Sequence, residues 1–396
     1  MGVASDILNA WNVIATGVTP KTTQERQKYW GHWSSYCNDL QIDPTLTNCN
    51  RLQTIIATTA FGTRVRQGYY GLGRTVKVST VSTALSAITK TLELAGANSP
   101  LLQAPDKYIT PIKRLLEGFR RTDAPNIPQL AVPVTVPHHC FDTHVNDSSI
   151  MKRTTADLVL VAFYYLLRVG EYTKPRFVKT GSQLRRATRT IQFTVGCVGF
   201  FKNGTLLPRT SPLDILLTAD SATLRIINQK NGRMGTCIHH ECSGLPSSPT
   251  KALARLVNNI LTSGGSNDTL ICDFWDTAQQ EWKSIQAKDI ITMTRNAVTT
   301  LKLHQQGIDP DLVGAHSLRA GGAMALKLHG YNDTTIMKMG RWTSLTFLMY
   351  IHTQIAHLGK DISKDMSKEL PFLNIACIDI RDETGNTSDT SSDRAE

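Results

Sequence analysis

The chain has 396 residues, 41% of them hydrophobic, which is long enough for more than one globular domain and too apolar for a disordered polymer. Its 43 Lys and Arg exceed 32 Asp and Glu, for a net charge of +11; residues 379–396 hold six acids and two bases, so the rest carries 41 bases against 26 acids, a net +15 that points to a polyanionic partner. Eight cysteines without a CxxC pair favour a reducing compartment, the N-terminus lacks the pattern of a secretory signal, and the longest apolar run, LVLVAFYYLL at 158–167, is about half of a membrane span, so an intracellular protein without a membrane segment is expected.

Residues 1–20 read as a flexible start. TTQERQKYWGHWSSYCNDL then spaces Tyr29, Trp30, Trp33, Tyr36, Cys37 and Leu40 at helical intervals, with Thr22 and Glu25 placed as a capping box. The aromatic stripe reads as a core face. Further helices are predicted over 50–68, 79–96 and 106–120, making residues 21–121 a helical bundle. The segment 122–149 opens with TDAPNIPQLAVPVTVPHH, where Pro125, Pro128, Pro133 and Pro137 and the missing helical period predict an extended interdomain linker. From 150 an apolar helix runs into LLRVGEYT, followed by the β-like runs TIQFTVGCVGF, LDILLT, ATLRIINQ and GTCIHH and, after 249, several helices. The expected fold is multidomain and mainly α: a helical bundle, then an α+β domain over 150–365 with a small antiparallel sheet. Residues 366–396 read as a tail with a disordered Ser/Thr/Asp-rich end.

Several residues in the second domain can do chemistry. Arg168, in LLRVGEYT, is either a charge at a helix end that interacts with Glu171 or a buried anion ligand. Lys230, in INQKNGRMG, falls where a Lys-Asn-Gly turn would join two strands, a place where lysines are usually just solvated. His316 and Arg319, in GAHSLRAGGA, stand three apart at a helix start, beside backbone N–H groups that attract an anion. Ala320, Gly321, Gly322 and Ala323 would let that helix approach a neighbour closely. Trp342 and Tyr350 follow in GRWTSLTFLMYIH; taken singly, Tyr350 reads equally as a core aromatic. Cys237, His239, His240 and Cys242, in CIHHECSG, invite a zinc reading, but alternate strand residues face opposite ways and no second ligand pair follows, so no metal site is expected.

The order Arg168, Lys230, His316-x-x-Arg319, Trp342, Tyr350 resembles the tyrosine recombinase (phage integrase) superfamily. LLRVGEY, HSLRAGGA, IMKMGRW and the terminal Tyr look like that family's active-site boxes, and they span nearly the whole second domain. The GRW-x7-Y spelling, with Trp where many members have His and one residue fewer before the Tyr, looks most like the eukaryotic mobile-element branch that includes Crypton transposons.

The resemblance implies a site-specific DNA recombinase with a core-binding bundle and a catalytic domain. Tyr350 would be the nucleophile that forms a 3′-phosphotyrosyl intermediate, and Arg168 and Arg319 the ligands of the phosphate oxygens. Further roles follow for His316 in proton transfer, Lys230 as acid for the leaving 5′-oxygen, Trp342 as a phosphate donor and Glu171 in support. No cofactor or metal is expected. The partner is double-stranded DNA, bound by a homotetramer that is a monomer or dimer off DNA, with no membrane and with nuclear localisation. Candidate DNA contacts are the basic stretch with Lys174, Arg176, Lys179, Arg185, Arg186 and Arg189, free of acids from 172 to 212, and Lys113, Arg114, Arg120 and Arg121 before the linker; a solvated basic surface is the other reading. The competing functions are a type IB topoisomerase-like relaxase and a catalytically silent, domesticated DNA-binding protein. Residues 351–378 are expected to dock on a neighbouring subunit.

Overall fold

The computed structural model describes residues 5–344, except 7–8, 11–12, 15–16, 97–98, 100, 126–128, 181–182, 189 and 229–233, together with Leu348. Contacts divide the chain into two units, Met1–Ile351 and His352–Glu396, and every described residue lies in the first. The tail (366–396) and the segment expected to dock on a neighbour (351–378) lie outside the described residues. The fold is mainly α with small antiparallel sheets.

Residues 5–6, 9–10 and 13–14 are helical, within the start read as flexible; three longer helices follow, α1 (Pro20–Asp39), α2 (Arg51–Arg66) and α3 (Val78–Leu94). The cap of α1 is Thr19, whose hydroxyl accepts from the Thr22 N–H at 3.3 Å, one turn before the Thr22/Glu25 box read from sequence. Pro20 explains the earlier start, because its ring sets a helical φ where no N–H is needed. The strands β1 (Leu102–Ala104) and β2 (Lys107–Tyr108) pair antiparallel, so the helix expected from 106 begins only at Thr110, as α4 (Thr110–Thr122). Trp33 is fully buried, packs edge-on against Phe61 with ring centroids 5.2 Å apart, and donates its indole N–H to the Pro44 carbonyl at 2.8 Å. With Tyr36, Leu85, Ile88 and Ile112 it forms one hydrophobic core.

A second, larger core begins inside the segment read as linker. Residues Thr135–His144 form α5, and Val132, Val136, Cys140 and Phe141 are buried with the following helix, α6 (Ile150–Tyr164). The linker reading fails here because Pro137 falls in the first turn of α5, where a missing N–H costs no hydrogen bond. The apolar α6 packs on the four-stranded antiparallel sheet β6-β5-β7-β8, built from β5 (Val198–Lys202), β6 (Thr205–Leu207), β7 (Ser221–Asn228) and β8 (Met234–Glu241). A separate hairpin joins β3 (Phe177–Thr180) and β4 (Gln183–Arg186). LDILLT is a short helix, α7 (Leu213–Leu216), entered through Pro212 and turning Leu216 into the core, rather than a strand.

Beyond the sheet come α8 (Pro249–Thr262), the hairpin β9 (Asp273–Asp276) and β10 (Glu281–Ser284), and α9 (Ala287–Thr300). The last two described helices are α10 (Ser317–Leu328) and α11 (Asp333–Gly340). Arg255 of α8 grips the buried Asp157 of α6 through Nε and Nη2 at 2.5–3.1 Å. Among the described residues no helix is long and apolar enough to cross a membrane.

Candidate active site

The apolar helix α6 ends at Tyr164, and Leu166 then turns left-handed at φ +50°. That reversal exposes the Leu166 carbonyl to side chains and carries Arg168 past the helix end, to the start of a 3-10 turn over Val169–Glu171. Arg168 is thus not the last residue of the helix. Its backbone N–H donates to Glu171 Oε2 at 2.9 Å and its Nη1 lies 3.2 Å from Oε1, so the two residues close a small ring. The Arg168 side chain keeps 25% of its surface open, whereas Glu171 keeps 1%.

The second limb is α10. His316 is its N-cap residue and is exposed, with its backbone N–H bound to Gln129 Oε1 at 2.9 Å. One turn on, Arg319 is buried at 1% exposure and donates to the carbonyls of Leu166 and Gly340. Its guanidinium stacks on the Trp342 ring at 4.3 Å. The glycines set this approach. A Cβ on Gly321 would lie 2.1 Å from the Val132 carbonyl oxygen, one on Gly322 2.3 Å from that of Phe163, and one on Gly340 1.7 Å from the Trp342 ring.

One residue passed over in the sequence completes the cluster. Arg341 caps α11 in the left-handed region at φ +58° and is 4% exposed. Its Nη2 donates to Glu171 Oε2 and to the Leu166 carbonyl, both at 3.0 Å, while its Nε and Nη1 are buried without a partner. Burial lowers its pKa from the ordinary arginine value, opposed by the Glu171 charge. The signal was present in MGRWTS, where an arginine directly precedes the chosen tryptophan. Leu166 O accepts from Arg319 and Arg341, and Glu171 is ion-paired to Arg168 and Arg341, so the carbonyl and the carboxylate together link three guanidiniums.

Arg168, Glu171, Arg319 and Trp342 are therefore brought together, with His316 one turn from Arg319. Lys230 and Tyr350 lie outside the described residues; Lys230 belongs to the connection between the antiparallel neighbours β7 and β8. A cleft of about 450 Å³ lies between β8 and α11, lined by Thr236, Cys237, Thr334, Met337, Lys338, Arg341 and Trp342. Tyr172, beside Glu171, is sealed at 1% exposure, and burial raises it above the ordinary tyrosine range, which suits a core residue rather than a nucleophile.

The strand β8 separates the residues of the zinc reading. Cys237 is exposed and His239 bonds to the Thr223 hydroxyl at 2.9 Å, whereas the His240 ring packs edge-on against Tyr165 at 4.6 Å, and burial takes it down to about 4. Among the described residues no group of three His, Cys, Asp or Glu could hold a metal ion.

The basic residues divide by environment. Lys174, Arg176 and Lys179 are exposed along the β3–β4 hairpin, while Arg186 donates to Gln192 and lies over Phe177. The Arg185 side chain and Arg189 lie outside the described residues. Within the same basic stretch, Lys202 pairs with Asp220 at 2.9 Å and Arg209 donates to the Val198 and Gly196 carbonyls, so both hold the sheet together. Lys113, Arg114, Arg120 and Arg121 are exposed on α4.

No protein-family model and no curated protein matches the chain. Among solved structures it is similar to the Tn1549 transposon integrase in complex with transposon right end DNA, at 11% identity over 79% of this chain and 85% of that one, with a TM-score of 0.40. It is also similar to XerA recombinase (11% identity, 90% and 97% coverage, TM-score 0.36) and to XerH site-specific recombinase bound to difH substrate (12%, 79% and 70%, TM-score 0.43).

Proposed function

We propose that this chain is a site-specific DNA recombinase of the tyrosine recombinase superfamily, of the Crypton-type branch, that cuts and rejoins DNA through a 3′-phosphotyrosyl intermediate. The observation that carries the reading is the meeting of Arg168, Arg319 and Arg341 at the Leu166 carbonyl and the Glu171 carboxylate, beside the exposed His316. Arg341 buries two guanidinium N–H groups without an acceptor, and a buried cation left unsatisfied in this way is stabilised by an incoming anion. A phosphodiester matches guanidinium geometry.

In this reading the Tyr350 oxygen attacks the scissile phosphorus, and the bond to the 5′-oxygen breaks. The tyrosine gives up its proton with the help of His316, because a free phenol with a pKa of about 10 is protonated at neutral pH. Lys230 protonates the departing 5′-oxygen. Arg168 holds a non-bridging oxygen in the pentacoordinate transition state, and Arg319 joins it by releasing one of its carbonyl acceptors as the phosphate enters. Trp342 donates its indole N–H and packs over Arg319. The helices of 21–121 form the core-binding half, and the catalytic half begins at Val132 rather than at 150, since α5 belongs to its core.

Covalent trapping tests the reading. Wild type and Tyr350→Phe are incubated in EDTA with DNA from the chain's own genomic flanks, denatured, and the protein-linked ends sequenced. An adduct on the 3′ side with wild type alone is expected, because side chains supply the positive charge. Binding by both proteins without an adduct from either would make the chain a DNA-binding protein that does not cut.

A further inference from the structure

The cleft between β8 and α11 carries two cations that the cleavage chemistry leaves unused. Lys338 is exposed on one wall, and Arg341 lies almost wholly buried on another. Among the described residues no carboxylate lines the cleft. Arg341 spends Nη2 on Glu171 and Leu166, yet Nε and Nη1 have no acceptor. A buried N–H left without an acceptor is costly, and the charge it carries is weakly screened where water is excluded. Glu171 does not settle the account, since it shares its charge with Arg168. An oxyanion at the cleft floor would supply both missing acceptors and the missing negative charge.

We propose that this cleft seats a DNA backbone phosphate next to the scissile one, with Lys338 as the ligand at the mouth and Arg341 as the cation at the floor. The inference rests on the DNA-cleaving reading, because Arg341 shares Glu171 with Arg168 and directly precedes Trp342, which covers Arg319. Thr334, exposed at the rim, adds a hydroxyl that can donate to the same phosphate. A flanking phosphate held here fixes the register of the strand, so that the next phosphorus along it meets the arginines.

Cys237 is an exposed thiol on the wall of the cleft and reports its occupancy. The full-length protein is alkylated with N-ethylmaleimide, alone and saturated with duplex DNA, and Cys237 modification is followed by peptide mass spectrometry. DNA is expected to slow it at least about tenfold. In parallel, Lys338→Gln, a surface change that keeps the wild-type melting temperature, should weaken DNA binding and lower the slope of log K against log salt by about one unit. Equal Cys237 reactivity with and without bound DNA, or an unchanged slope in Lys338→Gln, overturns the seat. An adduct at Tyr350 together with an unprotected Cys237 removes the seat and leaves the recombinase reading standing. Failure of the wild type to bind DNA removes both.

Discussion

Arg319 and Arg168, the two candidate phosphate ligands, stand in different environments, one sealed at 1% exposure and the other with a quarter of its side chain open. Arg319 is a structural clamp as well as a candidate ligand, tying the reversal after α6 to the end of α11 through the Leu166 and Gly340 carbonyls. Lysine in its place can reach one of the two carbonyls at best. Arg319→Lys is therefore expected to lose about 2 kcal/mol in urea denaturation, the cost of an orphaned buried acceptor and a lost stack on Trp342. Arg168→Lys, at a side chain a quarter exposed, should stay within about 1 kcal/mol of wild type. Both should abolish adduct formation. Equal stability of the two variants would show that the Arg319 clamp contributes nothing. The identities of these arginines were legible because residue type and spacing carry the resemblance. Their burial was not, since it depends on a left-handed Leu166 that no local pattern announces. Arg341 was missed for the same reason: an arginine at a helix end reads as solvated until Glu171, 170 positions earlier, is folded against it.

At the scale of elements, packing outweighs intrinsic preference where α10 crosses α6 and the segment around Val132. Alanine is the better helix former by about 1 kcal/mol over glycine, so propensity alone favours Gly321→Ala. The new methyl would lie 2.1 Å from the Val132 carbonyl oxygen, which is backbone and cannot rotate away. Gly321→Ala should therefore destabilise by about 2 kcal/mol or more in chemical denaturation; a neutral or stabilising result would mean that α10 and the Val132 segment are free to separate. The sequence suggested this close approach through its run of small residues. It concealed α5, where prolines common to linkers and to first helical turns gave the wrong answer, and it concealed the β9–β10 hairpin, whose only local mark is Trp275 facing Trp282 across the ladder. LDILLT misled because a stretch of six residues has too few positions to separate a period of two from one of 3.6.

Outside the candidate active site, the described basic residues fall into those that hold the fold and those that face water, and the second kind is open to a polyanion without any rearrangement. Lys202 and Arg209 belong to the first kind. The four cations of α4 belong to the second: the helix buries Ile112 and Leu116 and leaves Lys113, Arg114, Arg120 and Arg121 exposed, without an ion-pair partner among the described residues. α1 in turn touches the basic β3–β4 hairpin, with Gln24 donating to the Lys179 carbonyl at 2.6 Å, so that hairpin is a meeting point of the N-terminal helices and the larger core. If α4 lies along the duplex, each cation displaces counterions, and the slope of log K against log salt records how many do so, at about 0.9 per phosphate contact. Changing all four to glutamine should lower that slope by up to about 3.6 units and weaken binding at low salt most, while the melting temperature barely moves, because exposed unpaired cations contribute little to folding. An unchanged slope would make α4 a solvated face and send the path of the DNA elsewhere, to Lys174, Arg176 and Lys179 on the hairpin. The measurement separates these paths because the slope counts contacts, whereas affinity alone mixes contacts with the general attraction of a chain carrying +11.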